Sequence, residues 1–207
     1  MRLSNETYES IKQAVADMFV DYDVKSVPIC SFEVAVKIGL TIIPYSALTS
    51  RQLEEALEYS SDGYSVETIE NEWIIYYNDE VKNYTRINQT IMHEIGHYIL
   101  GHISEGEEEE AEAKFFAKYT LASPVLIKNM PESITVENVM NRFAIGYQAA
   151  VYALDNYRKR FQFGPVDYVI YEKQILNQMN LEAGLGKGAV KLRVLNKKKH
   201  ITNCLRQ

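Results

Sequence analysis

The stretch TIMHEIGHY at residues 90–98 constrains this chain more than any other. It contains H-E-x-x-H. A helix advances about 100° per residue, so His93 and His97 come round to nearly one face, where two neutral imidazoles can share a cation. Zinc accepts imidazole nitrogen, and a catalytic zinc site needs three protein ligands and one open position for water. Glu94 lies at the edge of that face, where its carboxylate can reach a water without occupying the ion, as a general base requires. Apolar Ile87, Ile91, Ile95 and Ile99 recur at helical spacing and Gly101 supplies a stop, so the motif falls on a predicted helix over residues 87–100. The pattern should arise by chance on the order of once in a hundred such chains, which favours a zinc site over two ordinary core histidines.

The chain of 207 residues, 46% apolar and 11% aromatic, can bury a real core and fits one domain or one domain with a small appendage. A net charge of −6 argues against a general nucleic-acid binder. Cys30 and Cys204 are far apart and lack metal-ligand spacing. The first residues show no basic region followed by an apolar core, and no run reaches the length of a membrane span. The expectation is a soluble, cytoplasmic protein.

Local signals order the elements. Residues 6–20 read as an amphipathic helix with Tyr8, Ile11, Val15 and Met18 or Phe19 inward. Ser31 reads as the cap of a short helix over 32–38 stopped by Gly39, and residues 40–43 as a strand ended by Pro44. Thr49 caps a further helix, and residues 64–69 and 72–77 form a hairpin. The predicted class is α+β, a small twisted sheet against the H-E-x-x-H helix and then an α-helical C-terminal region. The run WIIYY at 73–77 suits either a buried hairpin strand or a sheet edge that binds an extended peptide.

The third ligand should be a carboxylate. Residues 105–112 are densely acidic and lead into an apolar-periodic helix, AEAKFFAKYTLASP. Most of these acids form a solvated face and a favourable charge at a helix N-terminus. Glu112 lies within the helix with Ala113, Phe116 and Ala117 behind it, so it is the preferred ligand, with Glu108 second. His102 does not fit the H-E-x-x-H-x-x-G-x-x-H pattern, which needs Gly at 100 and His at 103. It either faces the cleft and stabilises an oxyanion or lies on a surface loop. Arg86, one turn before the motif, is either a support for a carboxylate or a solvated charge.

Together, HEIGHYILGH, the acidic stretch and EAKFFAKYTLASP resemble the ImmA/IrrE family of metallopeptidases. The matching residues are His93, Glu94, His97, Glu112, Ala113, Phe116, Ala117 and Pro124, with Gly39-Leu40, Ile43-Pro44-Tyr45 and Arg86 upstream. The resemblance covers roughly residues 5–160. It implies a cytoplasmic zinc endopeptidase with a zincin-like, gluzincin-type core, in which His93, His97 and Glu112 hold one Zn2+ and Glu94 activates water. It further implies a protein substrate, a helix-turn-helix repressor of a mobile element, prophage or stress regulon. Lys114 departs from the family, which commonly has Asn or Asp there, and Ser123 from its usual helix end.

Beyond Pro131, Thr135 caps a helix over 136–143, residues 144–146 break it, and 147–161 form a longer helix. This order is compatible with a helix-turn-helix unit, but few basic residues fall where bases would be read, and packing against the catalytic layer is preferred. A last helix spans 165–180. The expected division is a peptidase domain over 1–130, a helical region over 131–183 and a basic tail over 184–207. Two other functions compete with the endopeptidase: a zinc-containing regulator that binds a repressor without cutting it, and a DNA-binding regulator.

Overall fold

The computed structural model describes residues 2–103 and 106–181, so the basic tail over 184–207 lies outside the described residues. Helix α1 (Asn5–Asp21) starts where the Ser4 hydroxyl accepts the Thr7 N–H at 3.0 Å, and it buries Ile11, Val15, Ala16, Met18 and Phe19. Helix α2 (Ser31–Ile38) ends at Gly39 in the left-handed conformation, φ 91°. Ser31 does not cap it. Its N–H and hydroxyl bond to the Oδ1 and carbonyl of Asn88 at 2.7 and 2.5 Å, tying the start of α2 to the helix that carries the histidines.

Strand β1 (Thr41–Pro44) is followed by a 3-10 turn (Tyr45–Ala47) and helix α3 (Ser50–Tyr59), whose Thr49 and Gln52 form a capping box. Strands β2 (Gly63–Glu67) and β3 (Trp73–Tyr77) form the expected hairpin. The sheet order is β1-β3-β2. β1 runs parallel to β3, with Ile42 opposite Ile75, and α3 lies in the crossover that such pairing requires. The run WIIYY is thus the centre of the sheet, with Ile75 fully buried, and β2 is an edge.

Helix α4 (Tyr84–Leu100) is capped by Asn83, whose Oδ1 accepts from the N–H groups of Thr85 and Arg86. It packs on the sheet and along α5 (Glu107–Leu121). Helices α6 (Pro124–Lys128), α7 (Val136–Phe143), α8 (Tyr147–Phe161) and α9 (Ile170–Gln178) complete an α+β fold that is mostly helical among the described residues. Thr135 caps α7 as expected. The last helix starts at Ile170, five residues later than its sequence suggests, and Val166 is 90% exposed instead of inward. α9 packs on α1, where Gln174 bonds Asp17 at 2.8 Å. No helix among the described residues is long and apolar enough to cross a membrane.

Candidate metal centre

Three chain segments assemble the site. Helix α4 places His93 and His97 one turn apart with their Nε2 atoms 3.1 Å from each other. Helix α5 crosses α4 at Gly96: a Cβ there would lie 3.0 Å from Phe116 Cδ1 and 3.3 Å from Ala113 Cα. This close approach brings the first turns of α5 over the two imidazoles. Glu110 Oε1 then lies 3.5 Å from His93 Nε2 and 3.3 Å from His97 Nε2.

Among the described residues, His93, His97 and Glu110 form a cluster that could hold a metal ion. Their fit can be tested from the edges. Ligands at about 2.0–2.1 Å from a tetrahedral zinc stand about 3.3–3.4 Å apart. The observed edges of 3.1, 3.3 and 3.5 Å are those of one such face. Burial and then the neighbouring His97 push His93 down to about 4, so its ring is neutral near pH 7 and its lone pair is open to a cation. Burial raises Glu110, but Lys114 and the two histidines outweigh it, and the net shift is downward. Lys114 Nζ is 3.0 Å from Glu110 Oε2, leaving Oε1 towards the imidazoles.

Glu112, the expected third ligand, does not join the cluster: its Oε2 lies 2.9 Å from His102 Nε2. Residues 110 and 112 are about 200° apart around a helix. The face that packs on α4, with Ala113, Phe116 and Ala117 buried, lies between them. Glu110 therefore projects on the cleft side and Glu112 on the side of the turn after α4. Glu108 is exposed. His102 lines the cleft, but its side chain is 7% exposed and both ring nitrogens are engaged, with His97 and Glu112.

Glu94 is buried, 7% exposed, and its Oε2 accepts a hydrogen bond from Ser65 Oγ at 2.7 Å. Ser65 comes from the edge strand β2, and nothing local in the sequence marks it. The cleft beside these groups is about 940 Å³, walled by β2, α4, α5 and the first turn of α8, with Tyr59, Tyr64, Trp73 and Tyr147 along it. Arg86 pairs at its rim with Asp62, 2.7 Å away.

Two imidazoles and a carboxylate with the edges of one tetrahedral face, and a buried glutamate beside them, form an arrangement on the H-E-x-x-H helix that is compatible with a metal site. Residues 52–155 match the IrrE N-terminal-like domain of the M78 peptidases, and the chain belongs to that peptidase family. No curated protein matches the chain.

Proposed function

We propose that the protein is a zinc-dependent endopeptidase in which His93, His97 and Glu110 hold the ion and Glu94 is the general base. The observation that carries this reading is the triangle of ligand atoms, with edges of 3.1–3.5 Å, on the H-E-x-x-H helix of a peptidase-family chain. When bound, the ion supplies a water of lowered pKa and polarises the scissile carbonyl.

The remaining steps belong to the chain. The Glu94 carboxylate takes the proton of the attacking water and returns it to the leaving amine. The Ser65 hydroxyl holds that carboxylate in one orientation. The edge strand β2, along the cleft, presents main-chain groups on which an extended substrate segment can add as a further strand. The aromatic walls favour a substrate with apolar side chains near the cut. By the resemblance to ImmA/IrrE proteins, the substrate is a helix-turn-helix repressor.

Zinc content and Glu94→Gln test the reading together. The wild type should bind about one zinc per chain, and Glu110→Ala and His97→Ala should lose it. Glu94→Gln should keep the ion and the fold but lose cleavage. If Glu94→Gln still inactivates the repressor, the protein acts by binding and not by cutting.

A further inference from the structure

Helix α4 ends in a two-bond turn. Gly101 is left-handed at φ 69° and ψ 34°, its N–H donates to the Tyr98 carbonyl at 3.2 Å, and the His102 N–H donates to the His97 carbonyl at 3.0 Å. This is the Schellman geometry, in which the second residue past the helix is folded back onto the residue five before it. Apolar side chains commonly meet there. Here the contact is between two imidazoles. His97 Nδ1 and His102 Nδ1 are 3.0 Å apart, with ring centroids at 5.0 Å, and His102 Nε2 is 2.9 Å from Glu112 Oε2.

Proton positions along this chain follow from its two ends. His97 Nε2 faces His93 and Glu110, so in a ligand it must offer a lone pair, and its proton must sit on Nδ1. His97 Nδ1 then donates to His102 Nδ1, and a neutral His102 carries its own proton on Nε2, facing the carboxylate. The opposite tautomer of His102 would turn a lone pair on Glu112 and leave two protons between the Nδ1 atoms.

We propose that His102 and Glu112 are positioning residues for the metal site, a carboxylate–imidazole pair that fixes the tautomer and ring plane of His97 and so sets the affinity for the ion. The proposal rests on the ligand set put forward above. It also gives the second acid of the Glu110-Ala111-Glu112 segment a role distinct from that of the first. Groups that hold a ligating histidine by its second nitrogen typically contribute a factor of about 10–100 in metal affinity.

The test is zinc affinity of the full-length protein, by competition with a chromophoric chelator. His102→Met and His102→Gln place side chains of similar length at the site. Only Gln can accept from His97 and donate to Glu112 in the native order. Met should weaken zinc binding by about 10–100-fold, and Gln should recover most of that loss. Glu112→Leu should weaken it by about tenfold, which gives an independent reading should the Met variant fail to fold. In the zinc-loaded wild type, imidazole ¹⁵N shifts should report protons on His97 Nδ1 and His102 Nε2. Equal affinities for the Met and Gln variants, or a folded Glu112→Leu within twofold of wild type, would overturn the proposal. Glu110→Ala separates the two levels. If that variant keeps zinc, the ligand set fails whatever position 102 does.

Discussion

Gly96 and Phe116 face each other across the crossing of α4 and α5, and a methyl group on Gly96 would stand 3.0 Å from the Phe116 ring. That spacing holds Glu110, on one helix, within reach of His93 and His97, on the other. Gly96→Ala needs only a few tenths of an ångström of adjustment, partly offset by better helix propensity. Gly96→Val should force the helices apart, costing about 1–3 kcal/mol of stability by overpacking. It should weaken zinc binding as well. Thermal unfolding of the metal-free protein and chelator competition measure the two effects separately.

Ser65 belongs to the sheet, yet it bonds the Glu94 carboxylate at 2.7 Å. Ser65→Ala should lower kcat by about tenfold, ~1.4 kcal/mol in the barrier, while KM and zinc content stay near wild type. Ser65→Thr, which keeps the hydroxyl, should restore most of the rate. A Ser65→Ala enzyme with unchanged kcat would remove the serine from the site's workings.

Arg160 and Glu172 form the buried ion pair that closes the α8–α9 loop. Nε and Nη2 of Arg160 meet the two carboxylate oxygens at 2.7 and 2.6 Å, and Glu172 is 1% exposed. The same guanidinium donates to the carbonyls of Pro165 and Asp167. Arg160→Leu takes the countercharge from buried Glu172, leaving its carboxylate the Val169 N–H at 3.1 Å, and should cost about 3–5 kcal/mol, a fall in Tm on the order of 10 °C. Arg160→Leu with Glu172→Met should be less harmful than Arg160→Leu alone, which calorimetry on the three proteins would show.

Asn88 is 1% exposed and uses both ends of its amide: Oδ1 accepts from Ser31 N–H, and Nδ2 donates to the Ile29 carbonyl at 3.0 Å. Asn88→Ala strands both main-chain groups and should cost about 2–4 kcal/mol. Asn88→Asp, which cannot donate to Ile29, should not rescue it. Denaturant unfolding of the two variants checks the order.

Where a chemical signal is local, the chain announces its structure. The Thr49–Gln52 box, the stops at Gly39 and Gly101, the Thr135 cap and the period of Ile87, Ile91 and Ile95 each involve residues within one or two turns of one another. The facing of His93 and His97 has the same origin, since 3.6 residues make a turn. Choosing between Glu110 and Glu112 is a different problem, because it depends on which side of α5 meets α4. The helix starts in an unbroken acidic run, where each carboxylate reads as solvated. The pertinent clue is the pairing of small residues, Gly96 on one helix with Ala113 on the other, which marks the contact face and hence its flanks. Two further features lie beyond local signals: α6 is too short at five residues to show a period, and the parallel pairing of β1 with β3 is set by a crossover. Ser65 reaches Glu94 only through the register of β2 on β3.

A polypeptide that adds to β2, an edge strand along the cleft, must arrive as a single extended strand with its main chain unpaired. A folded protein keeps most of its main-chain groups occupied in its own secondary structure. It can be cut only during the fraction of time that a segment is locally open. Under the proposed function, the rate on such a target would follow its opening equilibrium as much as the sequence around the cut, and a ligand that clamps the target shut would protect it without touching the peptidase.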